Sequence, residues 1–304
     1  MIEQPYAVLL YYMFANVSDP EAFADEHRAF CEELGMRGRI LIATEGINGT
    51  ASGTREACET YMQSLAAVFP GIEFKVESAD GHAFKALYVR VRPEIITLGR
   101  TLTSRVHERT GSHLSPAEWR EMMDREDVVI LDGRNTYESE VGRFRGAVCP
   151  PIENFRELPD WIEEHRAELE GRTILTYCTG GIRCEKLTTW MLDAGFDKVF
   201  QLHGGIVSYG QDPQTEGDGF EGVNVVFDER VAVSAGPRST IITTCRECGE
   251  PSANYVNCSN VECNIRMIQC PECEAMTSSS CSEACQSAPR RRAKGLKWHE
   301  SRGY

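Results

Sequence analysis

A cysteine followed by two glycines carries the strongest chemical signal in this chain of 304 residues. Residues 173–177, just before Cys178, predict a short buried strand. Residues 185–192, shortly after it, have apolar side chains at helical spacing. A cysteine on such a turn lies where backbone N–H groups converge, and these groups favour a thiolate. The glycines at 180–181 permit a tight loop, and Arg183 adds a positive charge expected to face an anionic group. The segment therefore predicts a nucleophilic thiol with a lowered pKa.

The distance from this cysteine to the arginine separates two kinds of chemistry. Cysteine phosphatases place their arginine one residue further from the nucleophile, which gives a loop wide enough for phosphate. Here the loop reads C-x-x-G-x-R, which resembles the rhodanese family, whose cysteine typically carries a persulfide. The segments 128–134 and 196–206 resemble the opening and closing strands of a rhodanese module. The alternative, a buried structural cysteine in an α/β domain, does not account for the glycines and the arginine at these positions.

The C-terminal third contains eight cysteines in four closely spaced pairs. Such short spacings let two thiolates bind one tetrahedral ion, so four pairs predict two zinc ions. The pairs are Cys245 and Cys248, Cys258 and Cys263, Cys270 and Cys273, and Cys281 and Cys285.

The metal is expected to be structural, because this stretch has too few large apolar residues to fold unaided. An iron–sulfur cluster is an alternative, since four thiolates also suit it. A further alternative is a single metal site with the other cysteines free. His299 is a less favoured metal ligand. The spacing does not decide whether adjacent or alternate pairs share an ion.

Composition limits the class of protein. The hydrophobic fraction is 41%, and the longest apolar run near the start, 7–15, is far too short to span a membrane. No signal peptide is recognisable, so a cytoplasmic location is expected. The net charge is −14, but residues 286–304 carry +5, which leaves −19 for the rest. A basic tail on an acidic body indicates an RNA-contacting appendage, with a solvated tail as the alternative.

The order of predicted elements divides the chain into five parts. Residues 1–98 follow a βαββαβ order with one added strand, which predicts a ferredoxin-like (acylphosphatase-like) domain. A connector at 99–114 shows no clear period. At 115–235 strands alternate with helices, as a parallel sheet requires, which predicts an α/β domain, and its loop resemblance implies a rhodanese domain. The cysteine-rich zinc module at 236–285 and the basic tail complete the chain.

Together these features resemble one family, the rhodanese-containing bacterial tRNA uridine hydroxylases. Its members convert the wobble uridine (position 34) of certain tRNAs to 5-hydroxyuridine with oxygen. The resemblance covers nearly the whole chain, although Gly133 and the pair 224–225 depart from the usual pattern. The segments that carry it are Thr44–Thr50, Arg134–Glu138, Phe155–Glu157, Cys178–Lys186 and Val226–Val231.

The resemblance implies an oxidoreductase that acts on tRNA, with molecular oxygen as co-substrate. Cys178 matches the active-site cysteine, as a nucleophile or a persulfide carrier, and Arg183 completes its loop. Cys184 is a candidate resolving thiol, or equally a buried helix residue. The loop alone would also suit a sulfurtransferase, and the zinc module alone a non-catalytic scaffold. No residue pattern reveals the electron donor, an obligate protein partner or a membrane contact.

Two weaker sequence patterns each allow a structural and a functional interpretation. The segment 44–50 predicts a tight hairpin, or a contact with RNA or with the reactive loop. Lys85, Arg90 and Arg92 lie on or near one strand at alternating positions, which indicates solvated charge or a basic stripe toward RNA. His107 and His113 have no ligand spacing and receive no role.

Overall fold

The computed structural model describes residues 4–292, so His299 and the end of the tail lie outside the described residues. These residues form an N-terminal domain, a second domain with a parallel sheet and a cysteine-rich module. This arrangement confirms the predicted α/β fold class. Within residues 4–292, no helix is long and apolar enough to cross a membrane.

The N-terminal domain is a five-stranded sheet with two helices on one face. The strand order is β4-β1-β3-β2-β5, in which β5 pairs parallel with β2 and the other pairs are antiparallel. Asp19 caps the first helix, its Oδ1 accepting from Ala22 N at 3.0 Å. The elements are β1 (Tyr6–Phe14), α1 (Pro20–Glu33), β2 (Arg37–Ala43), β3 (Gly46–Thr54), α2 (Arg55–Val68), β4 (Glu73–Ala79) and β5 (Leu87–Val91).

The second domain is built on a four-stranded parallel sheet of order β6-β10-β9-β7. Its first helix begins with a capping box, in which Ser115 and Glu118 cap each other's backbone N–H. The elements are β6 (Ser112–Leu114), α3 (Pro116–Met122), β7 (Val128–Asp132), α4 (Thr136–Val141), β8 (Gly142–Phe144), a 3₁₀ turn (Phe155–Glu157), α5 (Leu158–Glu164), α6 (Arg166–Leu169), β9 (Thr173–Tyr177), α7 (Ile182–Asp193), β10 (Val199–Leu202) and α8 (Gly205–Gln211).

One strand of this sheet lies in the segment predicted to be a connector. β6 has only three residues, too few to show a period, and it pairs with β10, far along the chain. After α8, β11 pairs with β8 and β12. The remaining elements are β11 (Phe220–Val225), β12 (Ala232–Ser234), β13 (Tyr255–Asn257), β14 (Arg266–Ile268), α9 (Pro271–Thr277) and α10 (Glu283–Gln286).

Candidate active site and metal sites

Cys178 lies directly after β9, in the loop that leads into α7. The loop curls around its sulfur, and the Gly181 N–H donates to Cys178 Sγ at 3.2 Å. Gly181 has a φ of +104°, a conformation that side-chain-bearing residues rarely adopt. The glycine pair therefore allows the predicted strand–loop–helix turn to place a backbone donor against the sulfur.

The surroundings of Cys178 favour its thiolate. Burial raises the pKa of this thiol, but hydrogen bonding from the Cys184 thiol, the charge of Arg183 and nearby backbone N–H groups together outweigh burial and lower it to about 6. Burial and the neighbouring Cys178 thiolate raise the pKa of Cys184 well above its ordinary value. At neutral pH Cys178 is therefore a thiolate that accepts a hydrogen bond from the protonated Cys184. Cys184 itself is fully buried in the first turn of α7.

Arg183 faces an anionic group, as expected, and that group is a carboxylate of this chain. Its Nη1 and Nη2 donate to Glu138 Oε2 and Oε1, both at 2.9 Å, and Glu138 has no solvent exposure. This paired fork is a buried ion pair that binds α4 to the reactive loop. The arginine still lies close enough to favour the thiolate, but its charge is neutralised by a carboxylate of this chain.

A second glycine pair supports the loop from behind. A Cβ on Gly205 would lie 2.5 Å from Cys178 O and 2.7 Å from Thr179 O, so only glycine fits here. Those two carbonyls accept from Ile206 N at 3.0 Å and Val207 N at 3.1 Å. The start of α8 therefore fixes the loop backbone without using the sulfur.

The N-terminal sheet packs directly against the reactive loop. A Cβ on Gly180 would lie 2.7 Å from Leu10 Cδ2, and one on Gly181 would lie 2.7 Å from the Tyr12 hydroxyl oxygen. Both side chains come from β1, on the sheet face opposite the helices. Cys178 is thus enclosed between two domains rather than exposed at the surface of one.

The hairpin segment 44–50 makes contacts between domains. Glu45 Oε1 accepts from Lys186 Nζ at 2.8 Å, and Lys186 Nζ also donates to Glu94 Oε2 at 2.5 Å. Lys186 lies on α7, one helical turn after the loop. Asn48 Nδ2 donates to Ile95 O at 2.9 Å and its residue lines the cavity beside Cys178. The segment is therefore both the predicted hairpin and a contact with the active loop's helix.

His113, which the sequence left without a role, takes part in the same interface. Its Nε2 lies 2.8 Å from Glu185 Oε1, and Tyr12 OH donates to the same oxygen at 3.1 Å. The hydrogen bond to Glu185 raises the pKa of His113. Glu185 thus holds the β1 tyrosine and the β6 histidine against the start of α7.

A cavity of about 430 Å³ opens beside Cys178, between the loop and the N-terminal sheet. Its wall is largely apolar and aromatic, with contributions from Tyr137, Phe155 and Phe227. The guanidinium of Arg183 lies 5.7 Å from the centre of the Phe227 ring. A planar base has both stacking surfaces and a nucleophile within this space.

We expect Cys178 to be mostly a thiolate at neutral pH. Its reaction with iodoacetamide, followed by peptide mass spectrometry, should decline only as the pH falls through about 6, where the sulfur becomes protonated. Cys149 is the matched control, because burial raises its pKa to about 11 and it should react only in alkali. A midpoint for Cys178 at or above pH 8 would contradict the assignment.

The eight C-terminal cysteines form two groups of four, and alternate pairs share a group. Within each group all sulfurs lie within 4.8 Å of one another. Cys248 and Cys270 Sγ are 3.7 Å apart, and Cys263 and Cys281 Sγ are 3.6 Å apart. Four thiolates about 2.3 Å from a tetrahedral zinc lie roughly 3.8 Å apart, so both groups fit this ion. The groups are Cys245, Cys248, Cys270 and Cys273, and Cys258, Cys263, Cys281 and Cys285.

Purified protein should contain about two zinc ions per chain. Cys245→Ser and Cys270→Ser should each release one ion and, when combined, still only one, because both residues belong to one group. Adding Cys258→Ser should release the second, whereas the control Cys58→Ser should release none. Elemental analysis checks these contents, and iron with sulfide, or loss of both ions in Cys245→Ser/Cys270→Ser, would contradict them.

The protein-family models that match this chain divide it into the same domains as the structure. The UPF0176 acylphosphatase like domain matches residues 6–95, the Rhodanese-like domain matches 115–212 and the Rhodanase C-terminal model matches 221–286. Proteins named tRNA uridine(34) hydroxylase from Bacillus cereus and Bacillus anthracis are 51% and 50% identical over 95% of this chain and 92% of their own length. The chain belongs to the tRNA uridine(34) hydroxylase family. A solved rhodanese-like domain from Anabaena covers 34% of this chain and 75% of its own at 22% identity, with a TM-score of 0.28.

Three of the segments that carry the family resemblance, 44–50, 178–186 and 226–231, connect the domains of this tRNA uridine(34) hydroxylase family member. In the segment 226–231, Asp228 pairs with Arg230, which also contacts Glu77 of β4. The sequence did not identify Glu138 as the partner of Arg183, nor Tyr12 and Glu185 as a bridge to the loop. Glu138 lies in one of the segments that resemble the family, and this resemblance was the only feature of the sequence that could have indicated a role for it.

Proposed function

We propose that this chain hydroxylates carbon 5 of uridine 34 in tRNA, with Cys178 as the reacting side chain. Membership of the tRNA uridine(34) hydroxylase family supports the reaction. The observation that carries the proposal is the thiolate at the wall of an aromatic cavity of about 430 Å³. The N-terminal domain closes this cavity, which a sulfurtransferase acting on small anions does not need.

The thiolate provides a way to activate uracil. Carbon 5 becomes nucleophilic once a nucleophile adds to carbon 6. Attack by Cys178 forms the S–C6 bond, and the resulting enolate carbon 5 forms a C–O bond with an oxygen species. Loss of the carbon 5 proton then breaks the S–C6 bond and restores the ring and the thiolate. Molecular oxygen as co-substrate requires a two-electron reductant to convert its second atom to water.

Residues of this chain assist these reaction steps by holding the reacting groups in place. Backbone N–H donors around Cys178 stabilise the thiolate as it leaves, and the buried pair of Arg183 and Glu138 keeps the loop in place. The zinc ions would have a structural role, since all four ligand positions of each group are thiolates. In this proposal the enzyme is cytoplasmic and its partner is tRNA. The described arginines of the tail stabilise the cysteine-rich module, since Arg292 Nη1 donates to Cys258 O at 3.1 Å.

The test is nucleoside mass spectrometry of tRNA from cells that lack this protein. 5-Hydroxyuridine and its derivatives should disappear and return when the wild-type chain is supplied. Retention of these nucleosides in the deletion strain would refute the function. Loss of 2-thiolated nucleosides instead would indicate the sulfurtransferase.

The covalent step has its own test. A tRNA with 5-fluorouridine at position 34 cannot lose a proton from carbon 5, so the S–C6 bond should persist. We expect a stable adduct with the wild type, detected as a mass shift on the Cys178 peptide, and none with Cys178→Ser. Normal hydroxylation of unmodified tRNA with no adduct under any condition would show that the cysteine acts otherwise.

A further inference from the structure

The N-terminal sheet has a face that its own helices do not cover. On β2 and β5, Ile40 and Val89 point to the helices, so their neighbours point to the other face. The register pairs Arg39 with Tyr88 and Leu41 with Arg90, which places these four side chains together. Arg92, two residues after Arg90, continues the pairing through its N–H to Ile42 O at 2.9 Å and lines the same cavity as Arg39 and Arg90. We call Arg39, Tyr88, Arg90 and Arg92 the arginine face.

The positive charges of this face are not neutralised. Throughout residues 4–292, the side chains of Arg39, Arg90 and Arg92 form no ion pair, and the buried Nε of Arg39 has no hydrogen-bond partner. Burial and the charge of Arg90 lower the pKa of Arg39, so the two cations repel each other. Bound anions would relieve this repulsion and occupy the free donors.

An exposed aromatic ring accompanies these charges. Tyr88 is 43% exposed, and the Arg90 guanidinium carbon lies 5.3 Å from the centre of its ring. Exposed aromatic rings and arginines on the open face of a small α/β sheet are how several domains bind single-stranded RNA, by stacking bases and contacting phosphates.

The arginine face is continuous with the candidate active site. Arg39, Arg90 and Arg92 line the same cavity as Cys178. β5 is three strands from β1, whose side chains contact the reactive loop, and three strand spacings amount to about 14 Å. A strand of RNA with one base at the thiolate would therefore run over β2 and β5.

We propose that the arginine face binds the anticodon-loop nucleotides that flank the target uridine. The arginines contact their phosphates, and one flanking base stacks on Tyr88. This inference rests on the proposed function, because it identifies the RNA-binding surface of that same site.

The experiment measures binding of a labelled anticodon stem-loop RNA with uridine at position 34 to the full-length protein at several salt concentrations. Arg90→Gln/Arg92→Gln should weaken binding at least tenfold and flatten the logarithmic salt slope by about 1.4, because each phosphate contact on a single strand contributes about 0.7. Tyr88→Ala should weaken binding roughly tenfold, whereas Tyr88→Phe, which retains the ring, should bind like the wild type.

The matched control removes two arginines elsewhere. Arg125 and Arg238 lie outside the N-terminal domain, are half-exposed and pair with nearby carboxylates. Arg125→Gln/Arg238→Gln should leave the salt slope unchanged. Equal unfolding midpoints for all variants would show that folding is retained.

Two results would overturn the inference. Either an unchanged affinity and slope in Arg90→Gln/Arg92→Gln, or equal weakening by the control pair, would place the RNA elsewhere. In both cases hydroxylation by the wild type in cells would be untouched, so the proposed function would survive. Conversely, 5-hydroxyuridine that persists in the deletion strain would refute the function whatever the binding data show.

Discussion

Replacing Cys178 with serine should abolish 5-hydroxyuridine at position 34 and leave the fold intact. A serine hydroxyl is not ionised at neutral pH and is a far weaker nucleophile than a thiolate. The loop backbone should be retained, because Ile206 N and Val207 N bind its carbonyls and the glycines set its turn. Nucleoside mass spectrometry of tRNA from complemented deletion cells gives the readout.

The matched control for this substitution is Cys149→Ser. Cys149 is a half-buried thiol of the same domain, and its Sγ donates to Ala147 O at 3.7 Å. This variant should restore 5-hydroxyuridine. Full modification by Cys178→Ser, at normal protein abundance, would remove the cysteine from the mechanism.

Replacing Arg183 with alanine should have the second-largest effect, through both stability and reactivity. It leaves the Glu138 carboxylate buried without its partner, which costs about 3–5 kcal/mol of unfolding free energy when one member of a buried pair is removed. It also removes a charge that lowers the pKa of Cys178. We expect a lower unfolding midpoint and a thiolate titration shifted to higher pH.

A double variant separates these two effects. Arg183→Met/Glu138→Met replaces the ion pair with apolar groups, which should restore much of the unfolding free energy. The iodoacetamide profile of Cys178 should still move to higher pH, because the arginine charge is absent. A profile that stays near pH 6 would show that backbone donors and Cys184 alone sustain the thiolate. An Arg183→Ala midpoint equal to that of the wild type would refute the structural role of the pair.

Local patterns were sufficient to predict the domains and the reactive groups, although the short strand β6 was missed. The capping residues Asp19 and Ser115 act within a few positions, so their helix starts were readable. The turn around Cys178 depends on the adjacent strand, glycines and helix, which are all neighbours in sequence. Each cysteine pair is likewise a local motif, so its metal-binding chemistry could be recognised.

The tertiary structure decided how these local parts combine. Alternate cysteine pairs share a metal group because the β13–β14 hairpin and the following helices bring distant pairs together. Glu138 and Arg183 are 45 residues apart, and Glu45 and Lys186 are 141 apart, so no periodicity links them. The sequence determined that this chain has a reactive thiol and metal-binding cysteines, because bonded neighbours shape both. Packing between domains determined what faces that thiol, because those contacts depend on the folded chain as a whole.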